Sequence, residues 1–108
     1  MNKLYYSPEA QTDLCDIREY ITEELDNSKA AENTLRKILK QIRSLEKHAG
    51  LGTPLSSVVG FDTNYRYIVC GNYIAFYYTE DENVYVVRVL YGRRDYLKIL
   101  FGKLPEED

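Results

Sequence analysis

Arginine and tyrosine are the residues of this chain with the numbers and spacing to do chemistry. Eight of its eleven tyrosines lie between Tyr65 and Tyr96, with Arg66, Arg88, Arg93 and Arg94 interleaved. A guanidinium holds a phosphate or a carboxylate through two parallel hydrogen bonds. A tyrosine ring stacks on a base or anchors a protein interface, and its hydroxyl adds a polar handle. The combination suits contact with RNA and contact with protein equally well. Tyrosine is also a favoured strand residue, so β-propensity alone accounts for much of the enrichment. The string Gly92-Arg93-Arg94-Asp95-Tyr96 is the most unusual local feature. Two consecutive arginines directly after a strand concentrate positive charge beside the sheet. Asp95 is placed to cap a closing helix and Tyr96 to return to the sheet; a solvated basic turn is the plainer alternative.

Other chemistries find less support. His48 is the one histidine, at the end of a helical pattern beside Lys47, with no serine or cysteine in a nucleophile arrangement. Cys15 and Cys70 are the only cysteines, and with His48 they match no metal-ligand spacing; two buried thiols in a reducing compartment are expected. Neighbouring carboxylates, Glu23 with Glu24 and Asp81 with Glu82, sit in charged surface contexts. There is no glycine-rich phosphate loop. Any catalysis must then come from positioning and electrostatic stabilisation by arginine and tyrosine, with no metal and no cofactor.

The 108 residues suit one domain with one core. A net charge of -3 lowers the prospect of a stand-alone nucleic-acid binder, although a local basic patch is compatible with it. With no leader ahead of the first strand and no apolar run near ~20 residues, a cytoplasmic protein without membrane contact is expected.

The elements that position these residues follow from periodicity. Lys3 to Tyr6 reads as a short strand. Ser7-Pro8-Glu9 is a helix start, with a hydroxyl cap and proline at the first helical position. Ala10, Leu14, Ile17, Ile21 and Leu25 form one helical face, and after a turn at Asp26-Asn27 so do Ala31, Leu35, Ile38, Ile42 and Leu45. Ser28 is expected to cap the second helix and Gly50 to end it. The first helix is acidic outside and the second basic, so charges are expected to pair across the hairpin or to be solvated. Residues 51–64 read as an irregular connection long enough to suggest a role. Tyr65 to Val69, Tyr73 to Thr79 and Val84 to Tyr91 are strands joined by turns too short for a parallel crossover. They form a three-stranded antiparallel meander, with helices on one face and tyrosines on the other. A short closing helix and a frayed acidic end at 105–108 complete an α+β fold.

The order strand, helical hairpin, meander, with Tyr-Arg-Tyr-Ile-Val at 65–69, Asn-Tyr-Ile-Ala-Phe-Tyr-Tyr at 72–78 and Val-Arg-Val-Leu-Tyr-Gly-Arg-Arg-Asp-Tyr at 87–96, resembles the RelE/ParE toxin superfamily. The likeness spans nearly the whole chain. It implies the toxin of a type II toxin–antitoxin system, of the plasmid-stabilisation kind, that inhibits growth until a partly disordered antitoxin covers it. It leaves open a homodimer or a heterotetramer with that antitoxin. RelE-like members cut messenger RNA on the ribosome; ParE-like members poison DNA gyrase and are not nucleases. Carried over by position, a nuclease would use Arg66, Arg93, Arg94 and Tyr96, and a gyrase inhibitor would bind through Arg93, Arg94, Tyr96, Leu97 and Phe101. RelE-like nucleases commonly place arginine directly after the tyrosine of the middle strand, where this sequence has Ile74 after Tyr73, and a histidine near the C-terminus, which this sequence lacks. Losing one phosphate-binding charge removes roughly 3 kcal/mol of transition-state stabilisation. The expectation is therefore ParE-like, with a RelE-like nuclease second and an inactive toxin homologue kept as an antitoxin-binding module third.

Overall fold

The computed structural model describes residues 1–102; the acidic end expected at 105–108 lies outside them. The chain opens with strand β1 (Lys3–Tyr6) and helix α1 (Pro8–Leu25). Ser7 caps α1 by accepting a hydrogen bond from the Ala10 N–H at 2.9 Å, and Pro8 takes the first helical position, where a missing N–H is harmless. Helix α2 (Ser28–Arg43) runs back along it and continues as a single tight turn over Ser44–Glu46. Its cap is Asn27, whose side chain accepts from the Ala30 N–H at 3.0 Å, and Ser28 is already helical. Gly50 does not end the helix either: the helical run closes at Arg43 and the tight turn at Glu46, four residues before it.

Residues 51–64 are less irregular than their composition suggests. They hold a two-residue strand β2 (Thr53–Pro54) and a one-turn helix α3 (Ser56–Val59). The meander follows as β3 (Arg66–Cys70), β4 (Tyr73–Glu80) and β5 (Asn83–Tyr91), and helix α4 (Tyr96–Phe101) closes the described chain. Gly71 holds the β3–β4 turn at φ +65°, a conformation glycine adopts without penalty. Glu80 and Asn83 pair with each other, so the β4–β5 connection shortens to two residues, with Asp81 at φ +56°.

The meander is the centre of a five-stranded sheet ordered β1-β5-β4-β3-β2. β1 lies parallel to β5 and β2 antiparallel to β3. The hairpin covers one face, burying Ile17, Ile21, Ile38, Ile42 and Leu45 against Ile68, Ala75, Tyr77, Val84, Val86 and Val89. The opposite face is not an open tyrosine carpet. α3 and α4 lie across it and enclose a second, smaller core of Leu55, Phe76 and Leu90. Cys70 is buried as expected, but Cys15 is exposed, because it falls off the inward stripe of α1. Among the described residues one ion pair, Arg18 with Glu32 at 2.6 Å, crosses the hairpin. Apart from Asp13, which is buried, the other hairpin charges face water.

Candidate functional site

The closing segment is held at both ends. Gly92 donates its N–H to the Asn72 carbonyl at 2.8 Å, fixing the end of β5 to the β3–β4 turn. Arg94 donates its backbone N–H to the Tyr91 carbonyl at 2.9 Å, and the chain turns there. Asp95 caps α4 by accepting from the Lys98 N–H at 3.3 Å, the role its position suggested. Arg93 and Arg94 are consequently presented on an ordered, exposed turn. Tyr96 returns to the sheet, its ring 5.2 Å from that of Phe76. Phe101 packs against Phe61 at 5.2 Å and Tyr65 at 5.7 Å, while Leu97 is half-buried. Arg93, Arg94, Tyr96, Leu97 and Phe101 thus follow one another along a single turn and helix, with Arg94 at the cleft beside α1 and Tyr96 and Phe101 packed on the small core.

Arg66 does not join them. It shares the hairpin side of β3 with Ile68 and Cys70, since alternate strand residues share a face. Its guanidinium donates to the Gly52 carbonyl at 2.7 Å. Its register partner on β4 is Tyr77, whereas the Arg93–Arg94 turn follows the row Cys70, Tyr73, Tyr91. Four residues of strand separate the two rows, about 13 Å. Beside Arg66 the buried Tyr77 hydroxyl accepts from the Gly52 N–H at 2.9 Å and donates to the Ala49 carbonyl at 2.8 Å. Burial raises the Tyr77 phenol pKa, so the group stays neutral and structural. This cluster pins the start of the 51–64 connection to the sheet.

A third polar cluster was hidden in the sequence. Asp13 is 7% exposed on the inner face of α1. Its two oxygens accept from Arg88 Nε and a terminal Arg88 nitrogen, both at 2.8 Å, and Oδ2 also accepts from the Val89 N–H at 2.9 Å. The ion pair raises the Arg88 pKa further, chiefly through the hydrogen bond to Asp13. Arg88 is therefore occupied. The signal was present: Asp13 lies three residues after Ala10 and four before Ile17, on the apolar stripe, and a buried carboxylate requires a partner. The same strand carries a bulge, in which Tyr77 pairs with Val86 and Phe76 with Arg88 so that Val87 is left over. The Val87 carbonyl accepts from the Ser7 hydroxyl at 2.7 Å. Ser7 and Asp13 thereby dock α1 on the irregular part of β5.

A row of aromatic rings crosses the sheet face opposite the hairpin. Tyr5 stacks on Tyr85 at 5.3 Å and Tyr85 on Tyr78 at 5.0 Å, with Tyr65 next at 6.1 Å and then Phe101. Among the described residues no group of three or more His, Cys, Asp or Glu could hold a metal, and no helix is long and apolar enough to cross a membrane.

Residues 4–96 match the family model for the ParE toxin of the type II toxin–antitoxin system parDE. The chain belongs to the ParE toxin family. Its fold is that of the RelE/ParE superfamily of type II toxins. It is similar to a solved structure of the chromosomal ParDE toxin–antitoxin system from P. aeruginosa, at 19% identity and a TM-score of 0.71, over 84% of this chain and 96% of that one. A crystal structure of YafQ from E. coli strain BL21(DE3) is also similar, at 18% identity and a TM-score of 0.46, over 94% of this chain and 100% of that one. No curated protein matches the sequence. The match to the ParE family model ends at Tyr96, so it takes in both arginines of the turn and stops at the first residue of α4.

Proposed function

We propose that this chain is the toxin of a toxin–antitoxin pair, acting in the cytoplasm as a ParE-like inhibitor of DNA gyrase, and that it engages its target through the segment from Arg93 to Phe101. One observation supports this over RNA cleavage. Metal-independent cleavage needs several basic groups converging on one phosphate, and Arg66 is bonded to the Gly52 carbonyl on the hairpin side of the sheet, away from Arg93 and Arg94. What remains on the closing segment is two exposed arginines beside partly buried aromatic and aliphatic side chains. That is the composition of a protein-binding hot spot. Membership of the ParE family points the same way, and the family description supplies the cognate antitoxin as a second partner.

The test is pulse labelling of DNA and protein synthesis immediately after induction without antitoxin, paired with a supercoiling assay on purified gyrase. Early loss of DNA synthesis, inhibited supercoiling, and rescue of both by Arg93→Ala with Arg94→Ala are expected. An early fall in protein synthesis with cut messages would instead show a RelE-like nuclease. Unimpaired growth together with tight antitoxin binding would show an inactive homologue.

A further inference from the structure

The outer face of the hairpin carries a charge pattern that neither the closing segment nor the aromatic row accounts for. Lys29, Arg36, Lys40, Arg43 and Lys47 stand seven, four, three and four residues apart, the spacing that aligns side chains along one side of a helix. The first four belong to α2 and Lys47 directly follows its closing turn. All five are exposed. Ile38 and Ile42 of the same helix face the core, so the row points away from the sheet. From Lys29 to Arg43 it is about 21 Å long at 1.5 Å per residue. At its middle it borders a groove of about 600 Å³, where Arg36, Lys40 and Arg43 of α2 meet Arg18 of α1. The carboxylate in the groove lining, Glu32, is already held by Arg18 at 2.6 Å. Arg36 bonds the neutral Asn33 side chain at 3.0 Å. Among the described residues no acid pairs with Arg36, Lys40 or Arg43.

Such a row costs the helix stability, because like charges four residues apart repel, and the chain as a whole carries -3. The arrangement points to a partner of opposite sign. Donors spread along a line suit a polyanion with repeating charge better than a single small anion, which needs donors converging on one point. The backbone of a nucleic acid presents one negative charge per ~3.4 Å of each strand. A protein partner would seat apolar side chains as well, yet among the described residues none of the large exposed apolar side chains is on α2. Single strands are held by stacking their bases on aromatic rings, and α2 has no aromatic residue. What the face offers is charge alone, which suits the phosphates of a duplex.

We propose that the outer face of α2 is a contact surface for the phosphate backbone of duplex DNA. Arg36, Lys40 and Arg43 pair with phosphates at the groove, and Lys29 and Lys47 extend the row at either end. Contacts of this kind fix position and carry no base sequence. The choice of DNA rests on the gyrase reading above, since that enzyme works on duplex DNA. The hairpin then supplies a second foothold: the closing segment binds the enzyme, and α2 the DNA beside it.

The experiment titrates the intact chain into a labelled DNA duplex of roughly 20 base pairs, about three times the length of the row, at salt from about 50 to 200 mM. It compares wild type with R36E/R43E and with K3E/K37E, which changes the net charge equally but lies off the row. All four side chains are exposed, and circular dichroism checks that each variant is folded. Wild type should bind with a slope of log affinity against log salt near about -4, as four or five phosphate contacts require. R36E/R43E should lose about tenfold affinity or more and flatten the slope by about 2, while K3E/K37E stays close to wild type. No binding at the lowest salt, a flat salt dependence, or equal loss in both variants would overturn the proposal. So would tighter binding of single-stranded DNA, duplex RNA or polyglutamate offered as competitors. Supercoiling inhibition by wild type is scored separately. DNA binding without inhibition would overturn the gyrase reading and leave the surface standing; inhibition without DNA binding would do the reverse. If both hold, R36E/R43E inhibits only at about tenfold higher concentration, and K3E/K37E inhibits as wild type does.

Discussion

At the scale of single residues, the polar groups that matter most for stability are the buried ones, and they are distinct from the exposed arginines assigned to function. Asp13 and Arg88 form a two-point ion pair, with the Val89 N–H completing the shell around the carboxylate. Removing one partner of such a pair leaves the other desolvated without compensation. Asp13→Ala is expected to cost about 3 kcal/mol in a urea titration, well above the exposed Arg18–Glu32 pair, where disruption should cost under ~1 kcal/mol. Gly52 is constrained by space: a Cβ there would lie 2.6 Å from the Tyr77 hydroxyl and 2.8 Å from the Tyr67 carbonyl. Neither a buried ring nor a strand carbonyl can retreat cheaply, so Gly52→Ala should lower stability by about 2 kcal/mol or more, read as a drop in Tm. Burial pushes the Cys70 thiol from 9.0 up to about 11. The folded state favours the neutral thiol, so this contribution is intact below pH 9 and is lost as the pH rises toward 11. Thiolate absorbance should show the Cys70 thiol ionising only as the pH approaches 11; its ionisation near pH 9 in the native protein would contradict the burial of Cys70.

Elements are positioned by contacts at their ends, and those were the least legible part of the sequence. Ser7 bonds both the Ala10 N–H and the Val87 carbonyl, so it caps α1 and fastens it to the β5 bulge at once. Ser7→Ala should therefore cost more than an ordinary cap, about 2 kcal/mol against the ~1 typical of such sites; hydrogen exchange should show the loss concentrated in the first turn of α1 and around Val87. The helices and the meander were readable because period-3.6 and period-2 patterns repeat over many residues and errors average out. Ser7 was identified as a cap because serine, proline and acid stand together. The bulge was not, since Val87 is an ordinary strand residue and only the pairing with Phe76 and Tyr77 reveals the extra position. β2 and α3 were missed for a related reason. Two and four residues are too few to show a period, and their stability comes from β3 and from the small core around Leu55. Among the site residues, the grouping of Arg93, Arg94, Tyr96, Leu97 and Phe101 follows from their adjacency in sequence. The distance of Arg66 from them is set by strand register, which no local pattern encodes.

For the whole molecule, the sheet is shared between two hydrophobic layers, and this decides how the fold comes apart. The larger layer lies under the hairpin and the smaller under α3 and α4. β4 supplies Ala75 and Tyr77 to the first and Phe76 to the second, and β5 supplies Val86 and Val89 to the first and Leu90 to the second. Neither layer can be lost while β4 and β5 keep both faces covered. Exposing either one places a largely apolar strand face in water at about 25 cal/mol per Å². Unfolding is therefore expected to be a single cooperative transition. The chain has eleven tyrosines and no tryptophan, and most of the tyrosines lie on or beside the sheet, so tyrosine emission follows the sheet while far-ultraviolet circular dichroism follows mainly the hairpin helices. The two curves should coincide in urea. Leu55→Ala in the small layer and Ile38→Ala in the large one should each shift both probes together, by about 2–4 kcal/mol, because the cavity left by either is felt through the same strands. If Leu55→Ala moved tyrosine emission to lower urea while circular dichroism stayed in place, the α3–α4 face would be a separately folding unit. The closing segment assigned to target binding would then be able to open without disturbing the groove on the other side.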